Sequence, residues 1–240
     1  MSDLLEMAIE AHGGRERWNE VKRLRISTTA GGGLWALKHQ PTITAENTWT
    51  LDTRQPHTEV EPFGAGDRVG VYTPAKTMIV GKDGGIVGER QDPRSAFNGH
   101  TLMTPWDELD TLYFGGYAIW TYFTTPFLFD MPGFETTEIN PWDTGEGETW
   151  RRLSVTFPDS VPTHCKTQTF YFDATGLLRR QDYSVDIMGG TDSANYALET
   201  KSFGGLIFPT KRRIYSRGPD NKPIIERLVL TIDVHDIVVE

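Results

Sequence analysis

His100, Asp107 and Asp110 are the residues whose types and spacing come nearest to a catalytic set. An imidazole titrates near neutral pH and a nearby carboxylate can orient it, which is what general acid–base chemistry needs. The plainer reading puts His100 in a loop and has the two acids cap and solvate a helix start, and the sequence favours it. His164-Cys165 places a thiol beside a base. Neighbours on a strand point to opposite faces, however, and a buried cysteine usually behaves as a small hydrophobe. Asp233 and His235 share one face of the last strand, where a solvent-facing polar row is the simpler account. No two of the six histidines form a His-x-His or His-x-x-x-His pair, so no metal site is indicated. The glycine clusters lack the Lys-Ser/Thr of a phosphate loop, and no Gly-x-Ser-x-Gly elbow is present. No cofactor is expected.

The aromatic residues carry more information. Thr111 to Phe129 contains no charged residue, and aromatic side chains crowd it and its flank from Trp106 onward. A transmembrane helix needs about 20 mostly apolar residues. This stretch contains Gly115, Gly116, Pro126 and four threonines, so a membrane span is not expected. A plain core helix is one reading. The other is a cavity wall, which needs large apolar surfaces with a few polar handles. The threonines and glycines make a poor close-packed core, which leaves both readings open, and Trp106, Tyr113, Tyr117, Trp120 and Phe123 are the ligand-binding candidates if the segment is a wall.

The elements that must position these residues are mostly strands. Residues 3–19 read as a helix capped by Ser2 or Asp3, weakened at His12-Gly13-Gly14, with a short second turn over 15–21. From Leu24 the apolar period changes to two. Strands are predicted at 34–39, 42–51, 56–62, 68–73 and 76–81, with Lys82-Asp-Gly-Gly85 as a hairpin turn. Residues 90–104 read as irregular. A helix opens at Thr104-Pro105-Trp106-Asp107 with Thr104 as N-cap, and is expected to break at Gly115-Gly116. Thr124–Phe134 reads as a loop. Further strands are predicted at 149–157, 166–173, 177–188, 195–203, 206–216 and 224–239. No repeat or linker divides the 240 residues, which read as a single domain.

Composition limits the function class. With 24 Lys+Arg against 33 Asp+Glu, the net charge is -9, and the densest basic run is only Lys211-Arg212-Arg213. That balance argues against nucleic acid or an anionic membrane surface as partner. A single cysteine excludes an internal disulfide. The acidic start, Met1-Ser-Asp-Leu-Leu-Glu-Met, has neither the basic residues nor the apolar core of a signal peptide, so a cytoplasmic protein is expected.

Three stretches carry a family resemblance. Phe170-Tyr-Phe-Asp-Ala-Thr-Gly-Leu-Leu-Arg-Arg180 resembles a hairpin of LolA-like lipoprotein carriers. Gly204-Gly-Leu-Ile-Phe-Pro-Thr-Lys211 resembles a later strand start of that superfamily, and Ala11-His-Gly-Gly-Arg-Glu-Arg-Trp18 resembles its opening. Together they cover roughly the first 30 residues and 165–240. The resemblance implies a mainly β (α+β) fold. A strongly curved antiparallel sheet would form an open half-barrel, with an N-terminal helix and a central helical segment covering its concave face around a hydrophobic cavity. Carriers of that family work in the periplasm. The expected function is non-catalytic binding of a small apolar or amphipathic molecule in the cavity. The alternative is an isomerase, cyclase or hydrolase using the same cavity with His100 as acid–base group.

Overall fold

The computed structural model describes residues 3–40, 46–64 and 66–240. Helix α1 (Asp3–Ala11) buries Leu4, Leu5, Ala8 and Ile9, and α2 (Arg15–Glu20) buries Trp18. Gly13 and Gly14, both at positive φ, separate them as the sequence indicates, whereas Ser2, one of the two expected caps, lies outside the described residues.

The chain then lays down β1 (Arg23–Gly31), a short helix α3 (Leu34–Leu37), and the hairpin strands β2 (Glu46–Asp52), β3 (Thr58–Glu61), β4 (Val69–Thr73), β5 (Lys76–Val80) and β6 (Ile86–Gln91). After helix α4 (Glu108–Thr124) come β7 (Glu135–Asp143), β8 (Thr149–Thr156), β9 (Thr167–Phe172), β10 (Leu178–Val185), β11 (Thr191–Phe203), β12 (Leu206–Arg217) and β13 (Pro223–Val239). The thirteen strands form one antiparallel sheet in the order β6-β5-β4-β3-β2-β1-β13-β12-β11-β10-β9-β8-β7. Every neighbour is a sequential hairpin partner except β1 and β13, which join the two halves through pairs such as Leu24 with Val239 and Ile26 with Ile237. The sheet does not close, because β6 and β7 are its two edges. This is the open, curved antiparallel sheet that the resemblance implies.

Several local expectations are corrected. Residues 34–39 are not a strand: Leu34 and Trp35 turn inward on α3 and are buried. The predicted strand at 42–51 begins at Glu46 in the described residues, and 42–45 lie outside them. The stretch 90–104 and the loop 124–134 each contain a short tight helix, Pro93–Phe97 and Phe127–Asp130. Strand β7 was not signalled, since its residues are polar and interrupted by Pro141. It is an edge strand with a register shift between Ile139 and Trp142, where charge and proline blunt further pairing.

Helix α4 packs chiefly on β3, β4, β5 and β6. Its N-cap is Asp107, not Thr104. The Asp107 carboxylate accepts from the Asp110 N–H at 2.8 Å and the Asp110 carboxylate accepts from the Asp107 N–H at 3.2 Å. The helix does not break at its glycines. A Cβ on Gly116 would lie 2.3 Å from Cγ of Tyr72, and one on Gly115 would lie 3.0 Å from the Trp49 ring. The glycines let the helix backbone rest on the sheet. Burial on nearly every side outweighs their propensity cost of about 1 kcal/mol each.

Candidate functional site

One side of α4 and the inner face of the sheet enclose a cavity of about 60 Å³. The helix contributes Thr111, Phe114, Gly115, Ala118, Ile119 and Tyr122. The sheet contributes mainly Trp49, Tyr183, Ile214, Leu230 and Ile232. Leu34 and Trp35 of α3 complete the wall. Helix α3 is tied down by the next residue, Lys38, whose ammonium donates to the carbonyls of Thr101 (3.1 Å), Leu102 (2.7 Å) and Thr104 (3.0 Å). Burial lowers the Lys38 pKa to about 8.

Polar groups lie at one end of these apolar walls. His164 is fully buried, with Nδ1 3.1 Å from the Tyr117 hydroxyl and Nε2 2.9 Å from that of Tyr122. Its ring stacks on Tyr183 at 3.9 Å, and the Tyr122 and Tyr183 hydroxyls are 2.8 Å apart. A neutral imidazole has one N–H and one acceptor nitrogen, so it satisfies one tyrosine in each role. Burial pushes its pKa down to about 3 and raises that of Tyr122 to about 12, so the cluster stays neutral. Beside it, Arg212 is 2 % exposed, with its guanidinium carbon 4.5 Å from the Tyr122 ring centroid. Arg212 forms no ion pair among the described residues, and burial lowers its pKa to about 10.

The five predicted binding residues sit elsewhere on the helix and its flank, and none is among the cavity-lining side chains. Trp106, Tyr113 and Tyr117 are brought together with Phe97 and Phe114 in a buried aromatic layer. Trp120 is wholly buried and its indole donates to the Asp52 carbonyl at 2.8 Å, while Phe123 packs against Phe208. Of the α4 aromatic residues, the cavity instead takes Phe114 and Tyr122, which the sequence placed in the same cluster.

The acid–base set is divided. Asp107 and Asp110 serve the helix cap, and both accept from Arg90, at 2.5 and 2.7 Å. Burial raises the Asp110 pKa, whereas at Asp107 the Arg90 and backbone donors outweigh the same desolvation and lower it. His100 packs against Phe97, and none of the three lines the cavity. His164 and Cys165 lie in the loop before β9, not on a strand. Among the described residues no group of three His, Cys, Asp or Glu side chains could hold a metal ion, and no helix is long and apolar enough to cross a membrane.

The sequence reading weighed His164 only as the neighbour of Cys165 and did not single out Arg212. A signal for Arg212 existed: it falls in the period-two row Phe208, Thr210, Arg212, Ile214, the inward face of β12. Lys211 and Arg213 point the other way and pair with Glu199 and Asp233.

No protein-family model and no curated protein matches the chain by sequence. Solved structures do. A LolA superfamily protein from Nitrosomonas europaea superposes with TM-score 0.54 at 8% identity, covering 99% of this chain and 92% of that one. The fold is LolA-like. A candidate outer membrane lipoprotein-sorting protein domain from Vibrio parahaemolyticus matches with TM-score 0.47 and 8% identity over 98% of this chain and 92% of its own. The lipoprotein LppX of Mycobacterium tuberculosis matches with TM-score 0.29 and 9% identity over 100% and 95%. The expectation of a cytoplasmic protein is corrected: the fold is shared with a LolA superfamily protein, and the carriers of that superfamily work in the periplasm.

Proposed function

We propose that this protein binds a small hydrophobic or amphipathic molecule, without catalysis, between the curved sheet and α4. The observation that carries this reading is the cavity itself. Phe114, Ala118 and Ile119 of α4 face Trp49, Ile214 and Ile232 across a void that their side chains leave unfilled, in a molecule whose other helix faces are closely covered. Native cores keep few voids larger than a water molecule, so an apolar void at the sheet–helix boundary is a binding feature. The LolA-like fold supports the same reading through the hydrophobic cavity that the family resemblance implies.

At about 60 Å³ the cavity is smaller than the roughly 150 Å³ that holds benzene. Binding therefore widens it, and α3 is the wall with the least structure around it, a four-residue helix held through Lys38. The aromatic layer of Trp106, Tyr113 and Tyr117, with Trp120 and Phe123, acts in this reading as the support behind the cavity. The enzyme alternative has no geometric support, because His100 is outside the cavity and both carboxylates are engaged by Arg90.

The test fills the void. The neutral probe N-phenyl-1-naphthylamine should bind the wild-type protein saturably, and Ala118→Phe should weaken binding by about tenfold, equivalent to about 1.4 kcal/mol, while the melting temperature is kept. Equal binding by both proteins would place the probe elsewhere and remove the basis for this function.

A further inference from the structure

We propose that the molecule bound in this cavity is a single-chain carboxylate, its head group received by Arg212 and Asn195 and its tail by the apolar walls. The inference rests on the binding function above and names the ligand class.

Neither side chain is among those lining the cavity, but register places the pair directly behind its wall. Arg212 is paired with Ile232 on β13 and lies one inward position from Ile214, and both isoleucines line the cavity. Asn195 is paired with Ile214 and lies one inward position from Ser193, which also lines it. Both polar side chains are buried, Arg212 at 2 % and Asn195 at 0 % exposure.

Their hydrogen bonding is incomplete. Nη2 of Arg212 donates to the Tyr122 carbonyl at 3.1 Å, but Nε and Nη1 have no acceptor. Asn195 approaches the Tyr122 hydroxyl, yet neither its amide nitrogen nor its oxygen completes a hydrogen bond. Buried polar groups are almost always paired, and a buried charge is normally matched by an opposite one.

A purely structural role accounts for only part of this arrangement. The Tyr122 carbonyl would accept the N–H of the residue four further on, which is Pro126 and has none, so a donor is needed at this end of α4. One N–H meets that need. It does not call for a guanidinium with two further empty nitrogens, nor for an unpaired amide beside it.

A carboxylate supplies what is missing. Its two oxygens can accept from Nε, Nη1 and the Asn195 amide, and its single negative charge balances the one cation. A dianionic head group would instead leave a net negative charge buried. The apolar walls beside the pair then require an aliphatic continuation of the same molecule.

The experiment compares dodecanoate, dodecanol and dodecylamine, below their aggregation limits, as competitors of the neutral probe on the full chain. Dodecanoate should bind roughly tenfold or more tightly than dodecanol, and dodecylamine more weakly than either. In Arg212→Met the advantage of the acid over the alcohol should vanish, while Arg212→Lys, which keeps the charge, should retain part of it. Equal affinity of acid and alcohol for the wild-type protein overturns this inference and leaves the binding function standing. That comparison decides even if Arg212→Met does not fold. Failure of all three competitors, in a protein that does not bind the probe either, overturns the binding function and this inference with it.

Discussion

His164 and His12 show how burial fixes a charge state. His164 has its ring between two tyrosine hydroxyls, and the His12 ring Nδ1 lies 2.7 Å from the Ala8 carbonyl. Desolvation lowers their pKa values to about 3 and about 4. Both are neutral in the folded protein at neutral pH, whereas the unfolded chain protonates them as pH falls below about 6.5. In that window the unfolded state holds more protons, so stability must fall with falling pH. Each histidine should contribute a slope of up to about 1.4 kcal/mol per pH unit, beginning near pH 6.5 and ending near pH 4 for His12 and pH 3 for His164. Urea unfolding from pH 7 to pH 4 should show this slope, and His164→Gln should reduce it. A slope unaffected by that substitution would place the His164 ring in contact with water. At this scale the sequence revealed its chemistry unevenly. Arg212 was visible as a charge on an apolar strand face, but His164 reaches the core from a loop, where no periodicity marks direction. Asp107 and Asp110 were legible as residues of a helix start because a cap is local, set within one helical turn, although the N-cap was expected at Thr104 and lies at Asp107.

The element that organises the molecule is α4. Its start was legible to within one turn and its aromatic content marked it as buried, yet two glycines read as a break. In an exposed helix they would weaken it, but here they are the contact surface. Gly116→Ala should therefore lower stability by about 1–3 kcal/mol despite the gain in helix propensity, because the new methyl meets the Tyr72 ring at 2.3 Å. Chemical denaturation reads this directly, and a stabilised variant would contradict the close approach. The failures at α3 and β7 have different causes. Leu34-Trp35-Ala36-Leu37 is too short for helical and strand periods to be told apart, and its conformation is set by the cavity wall it completes. Strand β7 is an exposed edge, so little burial writes a period into it.

At the scale of the whole molecule, the thirteen-stranded sheet wraps α4 without closing, and joining β1 to β13 makes the two halves one surface. Hairpin signals gave most of this topology in advance, since nearly every strand pairs with its neighbour in sequence. The β1–β13 union pairs strands far apart in sequence and is invisible to local patterns. The resemblance also implied the cavity. The helix face that lines it emerged only from packing, which turned Phe114, Ala118, Ile119 and Tyr122 toward the void and Trp120 and Phe123 away. The central claim is that apolar surface is buried in this cavity when a ligand enters. Isothermal titration calorimetry with dodecanoate at several temperatures tests it most directly, because burial of apolar surface gives a negative heat-capacity change whatever the sign of the enthalpy. The account predicts saturable binding of one molecule per chain with a clearly negative heat-capacity change. Heats that do not saturate, or a heat-capacity change near zero, would contradict it.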